Sequence, residues 1–154
     1  MPKPLKYLGH AIVFQEVPNE TTLAFNISGC PYHCEGCHSE YLWEYKGDNL
    51  LPTNMIEIIK KFGEYVTCIC FMGGDQNMEE LETALKICKS MGYNTCLYTG
   101  YDGILKFSKI LKYLDWIKVG RYIDGDIEHI EHGVKLASSN QHLYKVSELI
   151  GERS

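Results

Sequence analysis

Short, wholly apolar runs alternate with stretches of helical period along this chain. Leu23-Ala-Phe-Asn-Ile-Ser-Gly29 reads as a buried strand that stops on glycine. Asn54 then resembles a helix N-cap with Glu57 three residues on, and Met55, Ile58, Ile59 and Phe62 form one apolar stripe before Gly63. Val66 to Met72 is a second buried run, followed by Gly73-Gly74-Asp75. Asn77 and Glu80 repeat the capping pattern, and Leu81, Ala84, Leu85, Cys88 and Met91 keep one helical face before Gly92. Thr95 to Tyr98 predicts a third strand, and Ile104, Phe107, Leu111 and Leu114 a third helix. Trp116 to Val119 predicts a fourth strand. Beyond Arg121 the pattern weakens to a polar excursion over 124–133 and a last strand over 143–146.

Strands alternating with helices through short connections predict parallel pairing by βαβ crossovers, hence an α/β fold. No linker, repeat or low-complexity tract divides the 154 residues, so residues 1–154 read as one domain. Apolar runs are too short for a membrane span. With a net charge of −5 the surface offers no general basis for nucleic-acid binding. Lys106, Lys109 and Lys112 read as one solvated helical face. Met1-Pro-Lys-Pro-Leu-Lys-Tyr7 lacks the apolar core of a signal peptide, and a cytoplasmic location is the expectation.

The chemistry concentrates in Cys30-Pro-Tyr-His-Cys34-Glu-Gly-Cys37, three thiols spaced C-x3-C-x2-C. A cubane cluster held by three cysteines leaves one iron open to a small molecule, which points to radical chemistry. Structural zinc would need a second ligand pair at matching spacing, and Cys68-x-Cys70 is too tight and too apolar to supply it. A disulfide framework fits poorly with seven cysteines in a reducing compartment. Cys88 belongs to a helical core face. Asp124, Asp126 and Glu128 imitate the start of a calcium loop, but His129 and Lys135 stand where glycine and glutamate are required.

Parallel α/β folds bind ligands beyond the carboxyl ends of their strands. The cysteine loop, Gly73-Gly74-Asp75 and Thr99-Gly100-Tyr101 all follow predicted strands, so they share one rim. A Gly-Gly pair admits close backbone approach, and carbonyls beside the Asp75 carboxylate suit a cationic ammonium group.

The cysteine loop and the Gly-Gly-acidic turn resemble the radical S-adenosylmethionine (SAM) superfamily. More narrowly, five segments resemble the activating proteins of anaerobic ribonucleoside-triphosphate reductases. They are Ser28-Gly29-Cys30, Cys34-Glu35-Gly36-Cys37-His38, Gly73-Gly74-Asp75, Tyr98-Thr99-Gly100-Tyr101 and Ser138-Ser139-Asn140-Gln141. The chain departs from that pattern at Gln76, where proline is common, and at Val119-Gly120, where Asp-Gly is common.

The resemblance implies a partial, open parallel β/α barrel of about five or six strands. It implies a [4Fe-4S] cluster on Cys30, Cys34 and Cys37, with SAM seated by Gly73, Gly74 and Asp75, and with Tyr98, Thr99, Ser139 and Asn140 as further cofactor-binding residues. No side chain acts as a catalyst in its own right, since the cofactors carry the chemistry. Reductive cleavage of SAM would remove hydrogen from a glycine of the reductase's glycyl-radical subunit, with electrons from a donor such as flavodoxin or ferredoxin. Tyr32, Tyr41 and Trp43 would shield the cluster. The alternatives are an activase of another glycyl-radical enzyme, a small radical SAM enzyme acting on a metabolite, and a non-catalytic iron–sulfur electron-transfer module.

Overall fold

The structure, a computed structural model, describes residues 3–30 and 42–150. Its strands are β1 (Leu5–Val13), β2 (Thr22–Ile27), β3 (Asp48–Leu50), β4 (Cys68–Met72), β5 (Asn94–Tyr98), β6 (Trp116–Val119), β7 (His129–Glu131), β8 (Val134–Leu136) and β9 (His142–Lys145). Three helices accompany them: α1 (Pro52–Phe62), α2 (Met78–Ser90) and α3 (Val146–Ile150). Seven strands make one mixed sheet in the order β3-β1-β2-β4-β5-β6-β9, and β7-β8 is a separate hairpin. The large sheet is open, with β3 and β9 at its edges.

Four of the strands expected from the sequence, β2, β4, β5 and β6, are the parallel centre and follow one another in the sheet in chain order, while the expected last strand over 143–146 is β9, paired antiparallel with β6. Antiparallel strands flank them: β1 and β3 on one side, β9 on the other. Five or six parallel strands were expected, so the antiparallel flanks are a correction. Neither β1 nor β3 carries a strong apolar pattern. Gly9 at φ +100° and a register shift between Tyr7 and His10 interrupt β1, while β3 buries only Leu50.

Each central strand turns alternate side chains to opposite faces. Leu23, Phe25, Ile69, Phe71, Leu97 and Ile117 join the larger core with Met55 and Ile59 of α1 and Leu81, Leu85 and Cys88 of α2. The opposite face carries Ala24, Cys68, Cys70 and Cys96, packed with Val17, Tyr98 and Trp116. Helices α1 and α2 therefore lie on one side of the sheet.

Asn54 proves to be the third helical residue of α1 rather than its N-cap, which is Leu51; the Asn54 Oδ1 accepts the Leu51 N–H at 2.6 Å. Helix α2 starts after Asn77 as expected, although the Asn77 amide donates to the Lys3 carbonyl instead of capping. Its end is a Schellman turn: Gly92 N–H reaches Lys89 O and Tyr93 N–H reaches Cys88 O, with Gly92 at φ +90°.

The expected third helix is replaced by two 3-10 turns, Leu105–Phe107 and Leu111–Tyr113. Ile104, Phe107, Ile110 and Tyr113 recur every three residues, the period at which a 3-10 turn aligns its side chains. The polar excursion contains the β7-β8 hairpin, turned by His132 at φ +52° and Gly133 at φ +83°.

Candidate functional site

The carboxyl ends of the parallel strands line up as a rim. At its first position, β2 runs through Ser28 and Gly29 to Cys30. Cys30 N–H donates to Leu42 O at 2.8 Å and Gly29 N–H to the same carbonyl at 2.7 Å, which brings together the residues on either side of the cysteine loop. Ser28 Oγ accepts the Lys46 N–H at 3.1 Å and donates to the Lys46 carbonyl at 2.5 Å. Cys34 and Cys37, like Tyr32 and Tyr41, lie outside the described residues.

Four of the described cysteines, Cys68, Cys70, Cys88 and Cys96, are buried, whereas Cys30 is half-buried at the rim. Burial pushes the Cys68 and Cys96 thiols well up and the Cys88 thiol up to about 12, so these three stay protonated at neutral pH. A metal or cluster needs thiolate. Accessibility and backbone anchoring therefore make Cys30 fit as a cluster ligand, and burial leaves the strand and helix cysteines in the core role expected for Cys88.

The Gly73–Asp75 turn is the next position. Its link to the cysteine loop is Gln76, whose amide donates to Ser28 O at 2.9 Å. Gly73 N–H donates to Tyr98 O at 2.8 Å, Thr99 N–H to Lys118 O at 2.9 Å, and Gly120 N–H to Tyr101 O at 2.8 Å. The rim thus runs in sequence from Cys30 through Gly73-Gly74-Asp75 and Tyr98-Thr99 to Gly120. Asn140 adjoins the far end, with its amide donating to Arg121 O at 3.0 Å.

The contacts of Asp75, Lys106 and Tyr98 add to the expectation. Asp75 is buried and its carboxylate pairs with Lys106 Nζ at 3.1 Å, so Lys106 departs from the solvated face assigned to it. A Cβ on Gly74, which sits at φ +109°, would lie 3.4 Å from Leu5 and 3.5 Å from Leu81. The left-handed backbone conformation is what favours glycine there, since those contacts are ordinary ones. The Tyr98 ring turns to the sheet face away from the helices, where its hydroxyl donates to the Glu16 carbonyl and Lys118 Nζ lies 4.7 Å from the ring.

Thr99 is buried and its hydroxyl oxygen accepts Tyr101 N–H at 3.1 Å. The Ser139 hydroxyl donates to Asp126 at 2.7 Å. The rim brings together Cys30, Gly73, Gly74, Asp75, Thr99 and the backbone of Tyr98. Ser139 and Asn140 instead tie down the loop beyond β6. Gln76 and Lys106 were not singled out in the sequence as site residues. Gln76 was legible as the residue that follows the turn, whereas nothing local ties Lys106 to Asp75.

The family model of the 4Fe-4S single cluster domain matches residues 21–144, from the start of β2 into β9. The chain belongs to this family. It is similar to the anaerobic ribonucleoside-triphosphate reductase-activating protein of Enterobacteria phage T4, with 29% identity over 105 residues that span 62% of this chain and 67% of that protein. No solved structure matches it. Among the described residues no helix is long and apolar enough to cross a membrane. The matched region takes in the three-thiol loop and the whole parallel sheet, and membership supports an iron–sulfur cluster.

Proposed function

We propose that this chain is a radical SAM activase of an anaerobic ribonucleoside-triphosphate reductase, working as one cytoplasmic domain over residues 1–154. The observation that carries the reading is the rim: Gln76 joins the cysteine-loop anchor to the Gly-Gly-Asp turn, in a chain similar to a reductase-activating protein. The sheet, with its helices on one face, is read as a partial barrel of the radical SAM type.

Cys30, Cys34 and Cys37 would hold a [4Fe-4S] cluster. With SAM bound there, the chemistry supplied would be one-electron reductive cleavage of the sulfonium carbon–sulfur bond to methionine, with the deoxyadenosyl group taking a hydrogen atom from a glycine of the partner protein. Electrons would come from a flavodoxin- or ferredoxin-type donor. Gly73 and Gly74 would offer backbone carbonyls to the SAM ammonium group. Asp75, already neutralised by Lys106, would act mainly by holding the turn. Thr99 and the Tyr98 backbone would border the remainder of SAM, and Ser139 and Asn140 would fix the loop that closes that end of the rim.

The test is anaerobic reconstitution with SAM, a strong reductant and the reductase. The expected outcome is a doublet glycyl-radical EPR signal, one four-iron cluster per chain, and loss of both on Cys30→Ala. Cys88→Ala should keep its iron. A diamagnetic reductase beside ordinary turnover of a small metabolite would overturn the activase reading while leaving the cluster.

A further inference from the structure

We propose that His129, Glu131 and His142 form a binding site for a divalent metal of the zinc class, fastening the β7-β8 hairpin to edge strand β9. The alternation of β7 places His129 and Glu131 on one side, with Ile130 exposed on the other. Strand β9 brings His142 alongside. Glu131 Oε2 lies 2.8 Å from His129 Nε2 and 2.9 Å from His142 Nδ1, and Oε1 accepts the Leu143 N–H at 3.0 Å. The three ligand atoms fall within 4.8 Å of one another.

Donor atoms sharing a tetrahedral zinc at bond lengths of about 2.0–2.2 Å sit roughly 3.3 Å apart. The two nitrogen–oxygen pairs need to open by about half an ångström, and the two histidine nitrogens, within 4.8 Å of each other, need to settle at the same spacing to accept the ion. Binding requires each neutral imidazole to turn an unprotonated nitrogen to the ion and to keep its proton on the other ring nitrogen. Two imidazoles and one carboxylate favour zinc, cobalt(II), nickel or iron(II) over magnesium and calcium. Three protein ligands leave a coordination position for water, and the side chains are 29%, 26% and 46% exposed in the order His129, Glu131, His142, which gives the ion an entry path.

The hairpin gives the site a consequence beyond its own fold. His132 to Leu136 form one wall of a cleft of about 590 Å³ on the sheet face away from the helices, opposite Glu16, Tyr98 and Lys118. A metal at the base of the hairpin would hold that wall still. This inference is independent of the activase reading, since none of its ligands belongs to the cysteine rim.

The experiment titrates cobalt(II) and then zinc into the full chain under anaerobic conditions. The expected result is one equivalent of cobalt with ligand-field bands but no sulfur-to-cobalt charge-transfer band, displaced by zinc, and slower amide exchange over 129–136. Glu131→Gln and His142→Ala should each weaken binding by at least about a hundredfold, because losing even a partner behind a ligand costs roughly 10- to 100-fold. Far-UV circular dichroism checks that both variants fold, and Glu131→Gln preserves side-chain size. Absence of the sulfur-free equivalent, or its retention in both variants, overturns the proposal; a signal with sulfur charge transfer alone places the metal on cysteines and does the same.

Discussion

Asp75 carries a charge with only 2% of its side chain exposed, and the ammonium of Lys106 makes that arrangement tenable. A buried carboxylate left without its cation bears most of its desolvation penalty. Lys106→Met should therefore cost about 2 kcal/mol in urea denaturation, the scale of a hydrogen bond to a charged group. Adding Asp75→Asn should recover part of that loss, and equal stability of the single and double variants would count against the pairing. Lys106 and Asp75 are 31 residues apart, so local periodicity assigned the lysine to solvent. The place of Cys30 was legible because Gly29 ends an apolar run just before it.

Loops between elements are held by a few exacting contacts. Gly120 leaves β6 at φ +104°, and a Cβ there would meet Asn140 O at 2.8 Å and Gln141 Cα at 2.9 Å. Both backbone atoms are rigidly placed, so Gly120→Ala should cost more than about 2 kcal/mol, combining the conformational penalty with the clash. Gly133→Ala, with nothing within 4 Å of its Cβ, should cost only the conformational part, about 1–2 kcal/mol. Denaturant midpoints of the two variants would rank them.

The same loop carries a pH dependence. The Ser139 hydroxyl chiefly, then the Ile127 and Ser139 N–H groups, hold the Asp126 carboxyl below its ordinary value. A depressed folded-state value contributes stability above the ordinary carboxylate range and loses it as pH falls toward the folded value. Ser139→Ala should move the Asp126 midpoint upward in a carbon NMR titration.

At the scale of the whole molecule, the sheet is anchored by its parallel centre and finished by antiparallel strands at both sides. Hydrogen exchange should be slowest in β2, β4 and β5, which are buried on both faces and paired on both edges. Strand β1 should be protected too, since it lies between β2 and β3, although its sequence gave little sign of a strand. The two-stranded hairpin should exchange fastest among the strands, as it is not part of the large sheet and meets the rest of the fold through side chains such as Leu143, Trp116 and His142. Protection of the hairpin equal to that of β4 would refute this ranking.

The amino-acid pattern by itself determined the four parallel strands, both long helices and the three-thiol loop, because each is written in contiguous residues of one period or spacing. Tertiary structure alone decided the flanking strands β1 and β3, the antiparallel direction of β9 and the 3-10 form of the β5–β6 connection. It also decided the Asp75–Lys106 pair and the meeting of His129, Glu131 and His142. Each of these depends on partners distant in sequence or on a local preference too weak to choose between conformations, and packing made the choice.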